Sequence, residues 1–263
     1  MLWTTIAAAF AAGLLASLAC GLGALPLLIK RLDPAGQRGL GYGFAGGLMF
    51  SASVYNLLLP ALDLNGGGWT IGRVVPIIAG VFLGALFLQV AEANIEQDSP
   101  QRPERWKKWG GRVGFLVFIA MTIHSIPEGV AVGVGYAADN NPATTANSHA
   151  LGPTLALAIA IHNIPEGLAV AIPLRSAGAS ITRCFLAAVA TSLTQPLATI
   201  PAVLLAWFFT PLMPVLMGFA AGAMIFLVIL ELIPEALETE SPKRIAWAFT
   251  IGFCLMLLVQ VVL

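Results

Sequence analysis

Two short segments of this sequence combine residue types that bind metal ions at a spacing that brings them together. His124 to Val132 reads HSIPEGVAV, and His162 to Val170 reads HNIPEGLAV. Each places a histidine four residues before a glutamate, and residues at i and i+4 share one face of a helix. His124 and Glu128 therefore point one way, as do His162 and Glu166. If the two faces meet, two imidazoles and two carboxylates surround one point. Imidazole nitrogen and carboxylate oxygen suit borderline first-row dications: zinc first, then iron(II), manganese or cobalt. Without a thiolate the set is poor for copper(I), and without an all-oxygen cage it is poor for calcium. Two carboxylates balance one dication, and neither segment holds a lysine or arginine that would do so instead.

The elements that position these groups follow from composition. Of the 263 residues, 58% are hydrophobic and 10% are charged, with a mean hydropathy of +0.88. A soluble domain carries about 25% charged residues, so this chain lacks the polar surface to face water. A helix crosses the bilayer core with about 20 apolar residues, and eight stretches reach that length. They run roughly over 2–29, 39–62, 72–95, 112–137, 151–174, 182–208, 212–236 and 244–263. The expected architecture is an all-α membrane protein. It is expected to be an eight-transmembrane-helix bundle forming one domain over 1–263, multi-pass in the inner or plasma membrane and solvated by the lipid bilayer. The N-terminal stretch lacks a basic region, so it reads as a first span and not as a cleaved signal.

Basic residues set the expected orientation. Lys30, Arg31 and Arg38, the 96–112 loop with Arg102, Arg105, Lys107, Lys108 and Arg112, then Arg175 and Arg183, then Lys243 and Arg244 fall on alternate connections. These hold twelve of the thirteen basic residues, and only Arg73 lies on the other side. The side with the twelve is expected to be cytoplasmic, the 96–112 loop with it, and both termini outside. A net charge of zero offers no field for nucleic acid. The three cysteines, Cys20, Cys184 and Cys254, lie in apolar runs without metal-ligand spacing and read as small buried residues.

The chain also echoes itself. FAGGLMFSASVYNLLLPAL (44–62) aligns without a gap with FAAGAMIFLVILELIPEAL (219–237), setting Asn56 opposite Glu231. The two helices run in opposite directions across the membrane, the plan of an inverted repeat. The expected layout is 3+2+3, three helices flanking the motif pair on each side. Each ionisable group in a span costs about 2.5–3.5 kcal/mol on insertion scales, so four of them call for a bound cation. Pro127 and Pro165 cannot donate to the carbonyls of Ile123 and Ile161 and are expected to kink their helices there.

At these residues the chain resembles the ZIP (Zrt-, Irt-like protein) family of divalent-metal transporters, and its bacterial GufA-type branch in particular. The likeness rests on the HSIPEG and HNIPEG spans, on GLGALP (21–26) and on ELIPEA (231–236). It implies uptake of zinc or a related ion (iron, manganese, cobalt or cadmium) into the cytoplasm, with the metal as cargo and no resident cofactor. The primary metal ligands implied are His124, Glu128, His162 and Glu166. A second adjacent ion would draw on Ser125, Asn163 and Gln195. Ser125 stands where many relatives have asparagine, and Gln195 where many have glutamate, which makes that second site weak. Glu231 and Glu235 are implied as ligands on the exit path. The resemblance further implies elevator-type alternating access, in which the first, fourth, fifth and sixth spans move against the others. A homodimer is also expected.

Two other readings use the same residues. An intramembrane zinc-dependent hydrolase would need a base beside the first histidine, as in H-E-x-x-H, whereas Ser125 and Asn163 occupy those positions. A structural metal site would be richer in thiolate. The chain is therefore read as a transporter and not as an enzyme.

Overall fold

The computed structural model describes residues 1–29, 38–63, 70–97, 111–140 and 151–262, which form helices and no β-strand. Lys30, Arg31 and the centre of the 96–112 loop, including Arg102, Arg105, Lys107 and Lys108, lie outside the described residues. Helix α1 is Leu2–Leu22, extended by a 3₁₀ turn at Leu25–Leu28. Helix α2 runs from Arg38–Ala52 through a π segment, Ser53–Leu58, into Leu59–Asp63. Helices α3 (Ile71–Gln97), α4 (Gly111–Asn140) and α5 (Leu151–Ser176) follow. Helix α6 comprises Ile181–Ser192 and Thr194–Phe208. Helix α7 joins Met213–Leu227, a π segment at Val228–Leu232, and Ile233–Thr239, and α8 is Pro242–Val262. Among the described residues, seven helical stretches are long and apolar enough to cross a membrane. The 30-residue α4, which carries the first motif, is a further long helix outside those seven.

Proline explains where the helices depart from α geometry. Pro60 and Pro234 each lie two residues beyond a π segment, and neither can donate to the carbonyl four residues back. The preceding turn re-registers, so that Leu59 N–H bonds to Val54 O and Ile233 N–H to Val228 O, five residues back in both cases. The two wide turns occupy matching places in the 44–62 and 219–237 segments. In α6, Pro196 withholds its donor from Ser192, and the freed carbonyl accepts from Ser17 Oγ of α1 at 2.6 Å. Helices α4 and α5, by contrast, run on through Pro127 and Pro165.

The helices pack in two sets. Helices α1, α4, α5 and α6 pack on one another, while α3 lies against α7, α8 against α2, and α2 against α7. Small residues let backbones touch inside each set, as membrane helices require in the absence of a hydrophobic drive between them. A Cβ at Gly84 of α3 would collide with the Phe219 carbonyl of α7, and one at Gly47 of α2 with that of Phe249 on α8. In the other set, Gly129 of α4 abuts Gln195 of α6, and Gly167 of α5 abuts Cys20 of α1. Every such backbone collision at a described glycine falls within a set and none between the sets. Asp139, near the end of α4, accepts from the N–H groups of Leu151 (3.0 Å) and Gly152 (2.7 Å), capping α5 and tying the two motif helices together.

Candidate metal centre

The site grows from α4 and α5, with α6 and α1 behind them. Helix α4 contributes Glu128, and α5 contributes His162 and Glu166 one helical turn apart. Each of these three offers one ligand atom, and those atoms all lie within 4.8 Å of one another. Ligands on one zinc ion lie at most about 4 Å apart, given metal–ligand distances of about 2.0–2.2 Å. Side-chain shifts below about 1 Å would therefore close the set on an ion. Glu128 and His162 are wholly buried, and Glu166 is 4% exposed. His162 Nε2 lies 3.1 Å from Glu128 Oε1. His162 Nδ1 and Glu166 Oε1 have no hydrogen-bond partner. A buried polar atom without a partner costs about 1–3 kcal/mol, and a bound cation would remove that cost at Glu166. Helices α4 and α5 carry basic residues only near their ends, at Arg112 and Arg175, away from the carboxylates.

The remaining residues expected at the site fall into three groups. His124 lies one turn before Glu128 on α4, and its side chain is outside the described residues. Ser125, Asn163 and Gln195 are buried, but they spend their polar atoms on protein partners. Ser125 Oγ donates back to Met121 O at 3.0 Å. Asn163 Nδ2 donates to Ala16 O of α1 at 2.9 Å and to Gln195 Oε1 at 3.1 Å. Gln195 Nε2 donates to Asn163 Oδ1 at 3.3 Å and also to Glu128 Oε2. Glu231, in the π segment of α7, and Glu235 just beyond it are half-buried and are not members of the Glu128–His162–Glu166 cluster.

Sequence reasoning missed what lies across from Glu128. A narrow crevice between the two helix sets is lined by Met49 of α2, Leu88 of α3, Pro127 and Glu128 of α4, and Ala223, Met224 and Leu227 of α7. A signal for it existed, because Met49 and Met224 fall opposite each other in the 44–62 and 219–237 alignment.

A model of the family described as ZIP zinc transporter matches residues 110–260, which include both motif helices. The chain belongs to the ZIP zinc transporter family. The zinc transporter GufA of Myxococcus xanthus is 34% identical over 257 residues, covering 94% of this chain and 97% of that protein. The zinc transporter ZIPB of Bordetella bronchiseptica is 34% identical over 250 residues, covering 93% of this chain and 78% of its own. A protein of Arabidopsis thaliana is 37% identical over 238 residues, and there the chain spans 36% of the plant protein's length. The ZIP family match spans both helices that carry the buried Glu/His/Glu cluster.

Proposed function

We propose that this ZIP family member carries divalent transition-metal cations, zinc foremost, across the cell membrane into the cytoplasm. The observation that carries this reading is the convergence of two carboxylates and an imidazole, all buried, while Glu166 Oε1 goes unpartnered. Such a cluster in a membrane helix pair is costly unless a dication visits it. His124, one turn before Glu128, supplies the fourth ligand in this reading. The relatives' names as zinc transporters support the cargo, and the absence of a base beside either histidine disfavours the hydrolase alternative.

In this reading α4 joins the other seven to make eight spans, both termini lie outside, and the layout is 3+2+3. The matched π turns of α2 and α7 support the inverted repeat. The glycine contacts support a carrier in which α1, α4, α5 and α6 travel as one body against the rest. Glycines bring backbones together within each set, and no such contact at a described glycine crosses from one set to the other. Glu231 and Glu235 would receive the ion on the inner side.

The test is uptake of radiolabelled zinc into vesicles containing only the purified protein. Wild type should load the vesicles, and the Glu128→Ala, Glu166→Ala double variant should fall to the empty-vesicle background. Equal uptake by both, or none by the wild type, would sink the proposal.

A further inference from the structure

Helices α4 and α5 run antiparallel and are tied by polar groups at two levels. Where α4 ends and α5 begins, both carboxylate oxygens of Asp139 accept from α5. Oδ1 takes Leu151 N–H at 3.0 Å and Oδ2 takes Gly152 N–H at 2.7 Å. Deeper in, Glu128 Oε1 meets His162 Nε2 at 3.1 Å. Glu128 lies eleven residues before Asp139, and His162 lies eleven residues after Leu151. At about 1.5 Å of rise per residue, both stand about 16 Å from the clamp. Fixing Asp139 against Leu151 therefore brings these two ligands level. The same count sets position 124 level with position 166, each fifteen residues from the clamp. Gly135 and Leu155, each four residues in, keep the same register: a Cβ at Gly135 would come within 2.7 Å of Leu155 Cδ1.

We propose that Asp139 is a positioning residue for the metal centre, whose carboxylate fixes the axial register of α4 on α5 and so levels Glu128 with His162. The proposal rests on the metal-carrier reading of that centre. Between the two levels the buried residues include Ala131, Val134 and Ala138 on α4, and Ala158 and Ile159 on α5. Apolar contacts of this kind are not directional and hold an axial position loosely, whereas hydrogen bonds fail within about 1 Å of stretch. The aspartate side chain is short, so it cannot follow a sliding helix. Its charge also suits the positive end of the α5 dipole. A metal centre needs such a constraint, because metal–ligand distances tolerate deviations of only about 0.2 Å.

The experiment is zinc binding to the purified full-length protein in detergent, by titration calorimetry, with the metal-free melting temperature measured beside it. Binding that the Glu128→Ala, Glu166→Ala variant lacks is counted as the centre's. Asp139→Ala should weaken that binding about tenfold, the low end of what losing a residue that orients a ligand costs. Asp139→Asn keeps the length and one acceptor, and its affinity should fall between those of Asp139→Ala and wild type. Ser180→Ala is the control for a lost cap alone, since Ser180 Oγ accepts from Arg183 N–H at the start of α6. It should lower the melting temperature and leave zinc affinity at the wild-type value. Wild-type affinity in Asp139→Ala, or an equal loss in Ser180→Ala, would overturn the inference and leave the carrier reading intact. No zinc at the wild-type centre would instead overturn the carrier reading itself. If Asp139→Ala does not fold, Asp139→Asn decides, and wild-type affinity there would overturn the inference.

Discussion

The HSIPEGVAV and HNIPEGLAV helices match in sequence but are used differently by the fold. Position two shows it most clearly. Ser125 turns back to Met121 O on its own helix, while Asn163 reaches out to Ala16 O on α1 and to Gln195 on α6. The glycines diverge too: Gly129 presses on Gln195 and Gly167 on Cys20. A short hydroxyl finds its nearest acceptor within its own helix, whereas an amide is long enough to bridge helices. Duplication thus supplied two equivalent pairs of ligating types, and the neighbours of each copy gave the second one the structural work. The first copy leans on the second through Gln195, which links Asn163 to Glu128.

That contrast can be broken at several points, the glycines first. Gly167→Val forces a branched side chain into the Cys20 carbonyl, and Gly129→Val does the same at Gln195. Each should cost about 3 kcal/mol or more, because backbone contacts relax less than side chains. The readout is the yield of monodisperse protein and its melting temperature in detergent. Native-like stability in either variant would show that the helices do not need backbone contact there. Next come the position-two residues. Asn163→Ala removes the bonds to two other helices and strands a donor of Gln195, so thermal unfolding should reveal a loss of about 2 kcal/mol. Ser125→Ala should stay within about 0.5 kcal/mol of wild type. Equal losses would mean the two copies share the structural work after all. The smallest contrast is expected at the histidines. If both copies ligate the ion, His124→Ala and His162→Ala should each weaken zinc binding more than about tenfold and by similar factors. A normal affinity in His124→Ala would assign binding to Glu128, His162 and Glu166 alone.

Much of this was legible from residue types. Among the described residues, seven of the apolar runs recur as helices long and apolar enough to cross a membrane, because twenty consecutive apolar residues can neither alternate faces nor end without a polar break. The 44–62 and 219–237 segments that echo each other in sequence also share the same irregular turn, since both carry a proline at the same distance beyond it. Pro127 and Pro165, expected to kink their helices, lie within α4 and α5, which continue past both. Neighbouring helices can satisfy what a proline frees, and local sequence does not report neighbours.

The sequence by itself determined which side chains share a helix face and how much charge they bring, since both depend on spacing and chemistry within a few residues. It placed Glu128 beneath His124 and Glu166 beneath His162, and it put Gln195 near a proline on another span. Only the tertiary structure decided that Gln195 presents an N–H to Glu128, that Asn163 orients it from a carbonyl on α1, and that Met49 and Met224 face the same carboxylate across the gap between helix sets. An amide can donate or accept, and its choice belongs to whichever buried partner cannot choose. Here that partner is a backbone carbonyl nearly 150 residues away in the chain.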